Sequence, residues 1–137
     1  MNPAGNLRPV FCGMDLEKIR NYCLDKPAVT EEQPFGPETL VFKVAGKIFA
    51  LMPLDGTEST INLKCAPERA LELRDRYPDI RPGYHMNKRH WNTLYLDGGT
   101  LPDPLLRELI DHSYARVVAG LTKKMRLTYA LREPGAE

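Results

Sequence analysis

The chain has no apolar run long enough to cross a bilayer. Its opening residues, MNPAGNLRPV, have no basic segment followed by an apolar stretch, so no secretion signal is expected. Cysteine is scarce. Cys12, Cys23 and Cys65 are widely spaced, odd in number and without CxxC spacing. That argues against a disulfide frame and a thiolate metal site, and it fits reduced thiols in a cytoplasmic protein. Neither sign of charge is in excess: the net charge is +1 over 137 residues. Any binding of nucleic acid must therefore rest on a local cluster of cations and not on a global field. The GxSxG elbow, HExxH, the P-loop and GxGxxG are all missing, so the residues carry no signature of a hydrolase, a metalloprotease or a nucleotide enzyme.

What remains is ordinary globular material. Apolar residues make up 42%, enough for one core, and charged residues 27%. No repeat or low-complexity tract interrupts it. Residues 1–13 read as a loose arm, 14–130 as a single domain and 131–137 as a tail.

Asp15 can cap a first helix, with Leu16, Ile19, Tyr22 and Cys23 on one face and Pro27 at its end. VTEEQPFGPE, rich in proline, glycine and acids, reads as a loop. The apolar period then becomes two. Leu40, Phe42 and Val44 share one face, as do Ile48, Ala50 and Met52, with Phe49 and Leu51 opposite. Ala45-Gly46 between these strands has the length of a two-residue hairpin turn. STINLK is a third strand with Ile61 and Leu63 inward. PERALELRDRY is a helix opened by Pro67 and stopped by Pro78. WNTLYL alternates again, DGG turns the chain, and Asp103-Pro104 open the longest helix. There Leu106, Leu109, Ile110, Ser113, Tyr114, Val117, Val118 and Leu121 recur at helical period, with TKKMR at the C-terminal end. Strands clustered between helices predict an α+β fold, an antiparallel sheet with helices on one face.

Three blocks, PFGPETLVFKVAGKIFAL, IRPGYHMNKRHWNTLYLDG and LPDPLLRELIDHSYARVVAGLTKK, resemble the signature blocks of the MmcQ/YjbR family, over roughly Met14 to Arg126. The resemblance implies a two-layer α/β sandwich of CyaY-like type, related to secretion-chaperone folds, in the order α-β-β-β-α-β-β-α. The fourth strand would then fall within Pro82–Asn87. It also implies a small binding protein labelled as DNA-binding because two β-hairpins resemble paired wings. The chain departs from the pattern at Ala66, where the family often carries an acid that would cap the second helix. Loss of such a cap costs ~1 kcal/mol.

The residues themselves keep several readings open. GYHMNKRHW holds two of the three histidines, the single tryptophan and two cations, with no acid. As a contact surface, Arg81, Lys88 and Arg89 would meet phosphates, joined by His85 and His90. Asn87 and Asn92 would read base edges, and Tyr84 or Trp91 would stack. As a structural connection, the aromatics would pack and the amides would satisfy backbone groups. Lys43 and Lys47 flank the first hairpin turn, as a basic wing tip or as a protected edge. The candidate set for double-stranded DNA is thus Lys43, Lys47, Arg81, His85, Asn87, Lys88, Arg89 and His90. The runner-up is a protein-binding adaptor presenting Phe49 and Leu51.

An enzyme using His85 and His90 trails both, and no catalytic activity is expected. Those histidines are five residues apart, a poor metal spacing even with Asp97 or Asp111 added, so neither metal nor cofactor is expected. His112 reads as a surface residue of the long helix, and Cys65 as a small buried one.

Overall fold

A computed structural model describes residues 15–54, 58–83 and 86–131. Helix α1 (Leu16–Leu24) starts where Asp15 accepts the Lys18 N–H at 2.9 Å. Six strands follow in one antiparallel sheet: β1 (Val29–Glu32), β2 (Thr39–Val44), β3 (Lys47–Pro53), β4 (Thr60–Lys64), β5 (Ile80–Pro82) and β6 (Trp91–Tyr95). Their spatial order is β1-β2-β3-β4-β6-β5. Helix α2 (Pro67–Arg76) lies between β4 and β5 in sequence. Helix α3 (Asp103–Ala119) and the short α4 (Lys123–Thr128) close the chain. The α+β class and the single antiparallel sheet follow the sequence reading.

Four details differ from it. Val29–Glu32 is a strand, not a loop, because it pairs with β2 from Val29↔Val44 to Glu32↔Val41. The fifth strand, Ile80–Pro82, lies almost wholly ahead of the expected Pro82–Asn87. The long helix ends at Gly120, and TKKMR opens α4, where Thr122 caps by accepting the Met125 N–H. Phe49 points to the core with Ala50 and Met52 and not to the opposite face.

The last difference has a clear cause. Lys43 pairs with Ile48, but Phe42 pairs with Ala50, so β3 carries one extra residue, a bulge at Phe49. The bulge breaks strict alternation. It turns the Phe49 ring edge-on to Tyr114 of α3 at 5.4 Å between centroids. The turn that precedes it has the expected two residues. Ala45 (φ 50°) and Gly46 (φ 83°) both sit in the left-handed region that a tight hairpin of this kind demands.

The core lies between the sheet and α1, α2 and α3. It gathers Ile19, Phe42, Phe49, Ile61, Leu94, Leu106 and Ile110, each at most 1% exposed. The α3 face behaves as its periodicity predicts: Leu106, Leu109, Ile110, Ser113, Val117, Val118 and Leu121 are buried. Ser113 is the polar exception and is fully satisfied. Its hydroxyl donates to the Phe49 carbonyl and accepts the Lys64 N–H at 2.8 Å, bolting α3 to β3 and β4. Tyr22 and Lys26 near the end of α1 both bond Asp111 of α3, with Lys26 also 4.8 Å from the Tyr22 ring centre. Burial, reinforced by the Asp111 carboxylate, pushes the Tyr22 hydroxyl up to about 12. No helix among the described residues is long and apolar enough to cross a membrane.

Candidate nucleic-acid interface

The register brings the two turns singled out in the sequence to one end of the sheet. Val44 faces Lys47 across the first hairpin, β4 ends at Lys64, and Lys64 pairs with Trp91, the first residue of β6. The Ala45-Gly46 turn and the 87–90 turn therefore flank the end of β4. They are two strand spacings apart, about 10 Å. Lys47, Lys88 and Arg89 are exposed there.

The second turn is built by its own polar groups. Asn87 Oδ1 accepts the Arg89 N–H at 2.9 Å, and the Asn87 carbonyl accepts the His90 and Trp91 N–H groups. The His90 carbonyl accepts the Cys65 N–H at 2.8 Å, tying the turn to the end of β4. Gly83 donates to the Trp91 carbonyl at 2.9 Å; a Cβ at this position would lie 2.9 Å from Trp91 Cβ and 3.0 Å from its carbonyl oxygen. Only glycine permits that approach. Arg74 of α2 completes the frame. Its guanidinium donates to Asn92 Oδ1 at 2.7 Å and to the Lys88 carbonyl. Between α2 and this turn lies an open cleft of about 580 Å³, lined by Pro67, Glu68, Leu71, Arg74, Lys88 and Arg89.

The predicted residues thus divide. Lys47 and Arg89 are exposed, with no salt-bridge partner among the described residues. Lys88 is exposed and its ammonium donates to the Gly83 carbonyl at 3.2 Å. Lys43 is paired with Glu32 at 3.0 Å, and this pairing is the chief reason the Glu32 carboxyl is held low. Arg81 sits on the helix-free side of the sheet, 4.2 Å above the Tyr95 ring, and donates to the Pro78 carbonyl. The Asn87 amide oxygen belongs to the turn. Asn92, proposed as a base reader, is 2% exposed and held by Arg74 and the Ala70 carbonyl, so it cannot reach a base. His90 is half-buried, with Nδ1 lacking a hydrogen-bond partner among the described residues. His85 and Tyr84 lie outside the described residues.

Arg74 was not foreseen; nothing on the polar face of a helix marks one arginine as a brace. His112 is not a plain surface residue either. Its Nε2 accepts the Ala66 N–H at 3.2 Å, so α3 supplies an acceptor for the backbone N–H of the residue that precedes α2. Burial first, then Arg69 and Arg116, hold its pKa below the usual histidine value, against a smaller opposing pull from Glu108. Cys23 and Cys65 are buried, and burial raises both thiols, Cys23 to about 12. Cys12 lies outside the described residues.

Fold and site together define a small α+β protein on an open antiparallel sheet, with a basic end framed by two turns. A YjbR family model matches residues 24–116. Uncharacterized protein YbdF of Escherichia coli O157:H7 is 44% identical over 108 residues, covering 79% of this chain and 88% of that protein. Uncharacterized protein YjbR of Escherichia coli K12 is 34% identical over 113 residues, covering 82% and 95%. The crystal structure of Deinococcus radiodurans DR2400, with its DUF419 domain, superposes with a TM-score of 0.83 at 37% identity, covering 94% of this chain and 99% of that one. The chain belongs to the YjbR family.

Proposed function

We propose that this protein is a non-catalytic nucleic-acid-binding module that grips the phosphate backbone with the basic end of its sheet. One observation carries the reading: Lys47 and the Lys88–Arg89 pair, far apart in sequence, project from turns at the same end of the sheet. Turns about 10 Å apart let long lysine and arginine side chains meet separate phosphates of one backbone. The frame behind them is stiff, because Arg74 and Asn87 fix the turn from both sides. A role in binding rather than catalysis accords with the groups nearby, since His112 is spent on Ala66 and the Cys65 thiol is buried. The adaptor reading is weaker, because Phe49 lies in the core, leaving only Leu51, half-buried, of its two residues. A site within the cytoplasm belongs to the same proposal.

The test is a fluorescence-anisotropy titration of duplex DNA across a salt series. Lys88→Ala/Arg89→Ala is expected to lower the salt slope of log affinity by about two units, one for each phosphate no longer neutralised, and Lys47→Ala by about one. The weakening should be similar for unrelated duplexes. No binding by wild type at low salt, or an unchanged slope in the double variant, would sink the reading.

A further inference from the structure

The face of the sheet turned away from the helices has a composition of its own. On β6 it carries Trp91, Thr93 and Tyr95, because Asn92 and Leu94 point to the helix side. Their register partners on β4 are Lys64, Asn62 and Thr60, and Arg81 of β5 pairs with Thr93. No carboxylate belongs to this face on β4, β5 or β6. In its middle the Thr93 hydroxyl donates to Asn62 Oδ1, and both residues are buried. Trp91 and Tyr95 stand on either side, half-buried. Four residue steps along the strand separate them, about 13 Å.

We propose that this face is a stacking platform for single-stranded nucleic acid, with one base on Trp91 and another on the Arg81–Tyr95 pair. The inference rests on the phosphate-gripping reading and adds a substrate class to it. Bases offer a π-face to any flat side chain, and an arginine plane stacks a base as an aromatic ring does. The Arg81 guanidinium carbon lies 4.2 Å from the Tyr95 ring centre and Arg81 is exposed, so the pair offers a base a flat cationic partner. Lys64, directly across from Trp91, supplies a cation for the backbone beside the stacked base. A duplex cannot use the platform, because its bases already stack on one another. Positive charge without acids beside flat rings favours this occupant over an apolar protein surface, which would leave Lys64 and Arg81 unmatched.

Trp91 is the single tryptophan, so its emission reports on this face alone. Titration of the full chain with oligothymidylate should quench the emission, and a duplex of equal phosphate count should not. Trp91→Leu should weaken single-strand binding about 5- to 150-fold, the loss expected for one stacked base, and leave duplex binding unchanged. Lys64→Ala, which disturbs no ring, should lower the single-strand salt slope by about one unit. It keeps the test alive if Trp91→Leu fails to fold. Silent emission during single-strand binding, or equal single-strand affinity in the variants, would overturn the platform. If the duplex binds with a normal salt slope but oligothymidylate leaves the emission unchanged, only the platform falls; if neither probe binds, the grip falls with it.

Discussion

His112 shows how one side chain alters the pH response of a fold. It is neutral while it accepts the Ala66 N–H, and burial first, then Arg69 and Arg116, oppose its protonation. Its pKa is therefore lower in the folded chain than near ~6.5 in the unfolded one, so the unfolded state binds the proton more readily. The stability it contributes is complete above ~6.5 and is lost as pH falls through the folded value. Urea melts at pH 7.5 and 5.5 should show a drop on acidification that is smaller in His112→Gln, whose amide oxygen can take the same N–H. An equal drop in both proteins would remove His112 as the cause. Gly83 offers a second check. Gly83→Ala drives a methyl into the backbone of Trp91 and should cost about 1–3 kcal/mol in denaturant melts. At this scale the sequence was a partial guide. Lys88 and Arg89 announced themselves as exposed because a lysine–arginine pair in a polar turn has nowhere else to go. Asn92 and His112 did not, because their roles depend on partners brought close only by the fold.

At the scale of elements, periodic patterns were legible wherever one face meets the core without interruption. The α3 stripe and the β2 alternation are of this kind. Leu109→Ala, on that stripe and 4% exposed, should cost about 2–5 kcal/mol, and a loss below half a kcal/mol would show that the helix is not seated as described. Strand β1 escaped notice because it is an edge. With one neighbour and two adjacent acids it reads as loop, and charged side chains are what edges carry. The break at Gly120 escaped notice because the lysines and arginine beyond it are good helix formers, so only the turn at Gly120 parts α3 from α4. The Phe49 bulge is invisible to any period-two count. Helix α2 depends on Arg74 to hold the turn. Arg74→Ala leaves the buried Asn92 oxygen without its donor and should cost about 1–3 kcal/mol. Arg74→Lys should rescue little of it, since a lysine cannot serve Asn92 and the Lys88 carbonyl from a planar fork.

For the whole molecule, most of the sheet is local. Strands β1 to β4 follow one another as neighbours, and β5 and β6, consecutive in sequence, pair with each other. The exception is the β4–β6 seam, from Thr60↔Tyr95 to Lys64↔Trp91, whose strands are parted in sequence by α2 and β5. Two locally paired sub-assemblies must find each other along that line, and loop-closure entropy is concentrated there. The seam is thus the natural bottleneck on the way from coil to native chain. Leu94→Ala, inside it, and Val44→Ala, in the meander that gathers before it, should both slow refolding by most of their effect on stability. Stopped-flow chevrons check this, and a loss of stability seen mainly as faster unfolding in either variant would remove its strand from the bottleneck. The same reasoning sets the order of birth: the meander gathers first, and the tryptophan-bearing strand arrives last to complete the sheet.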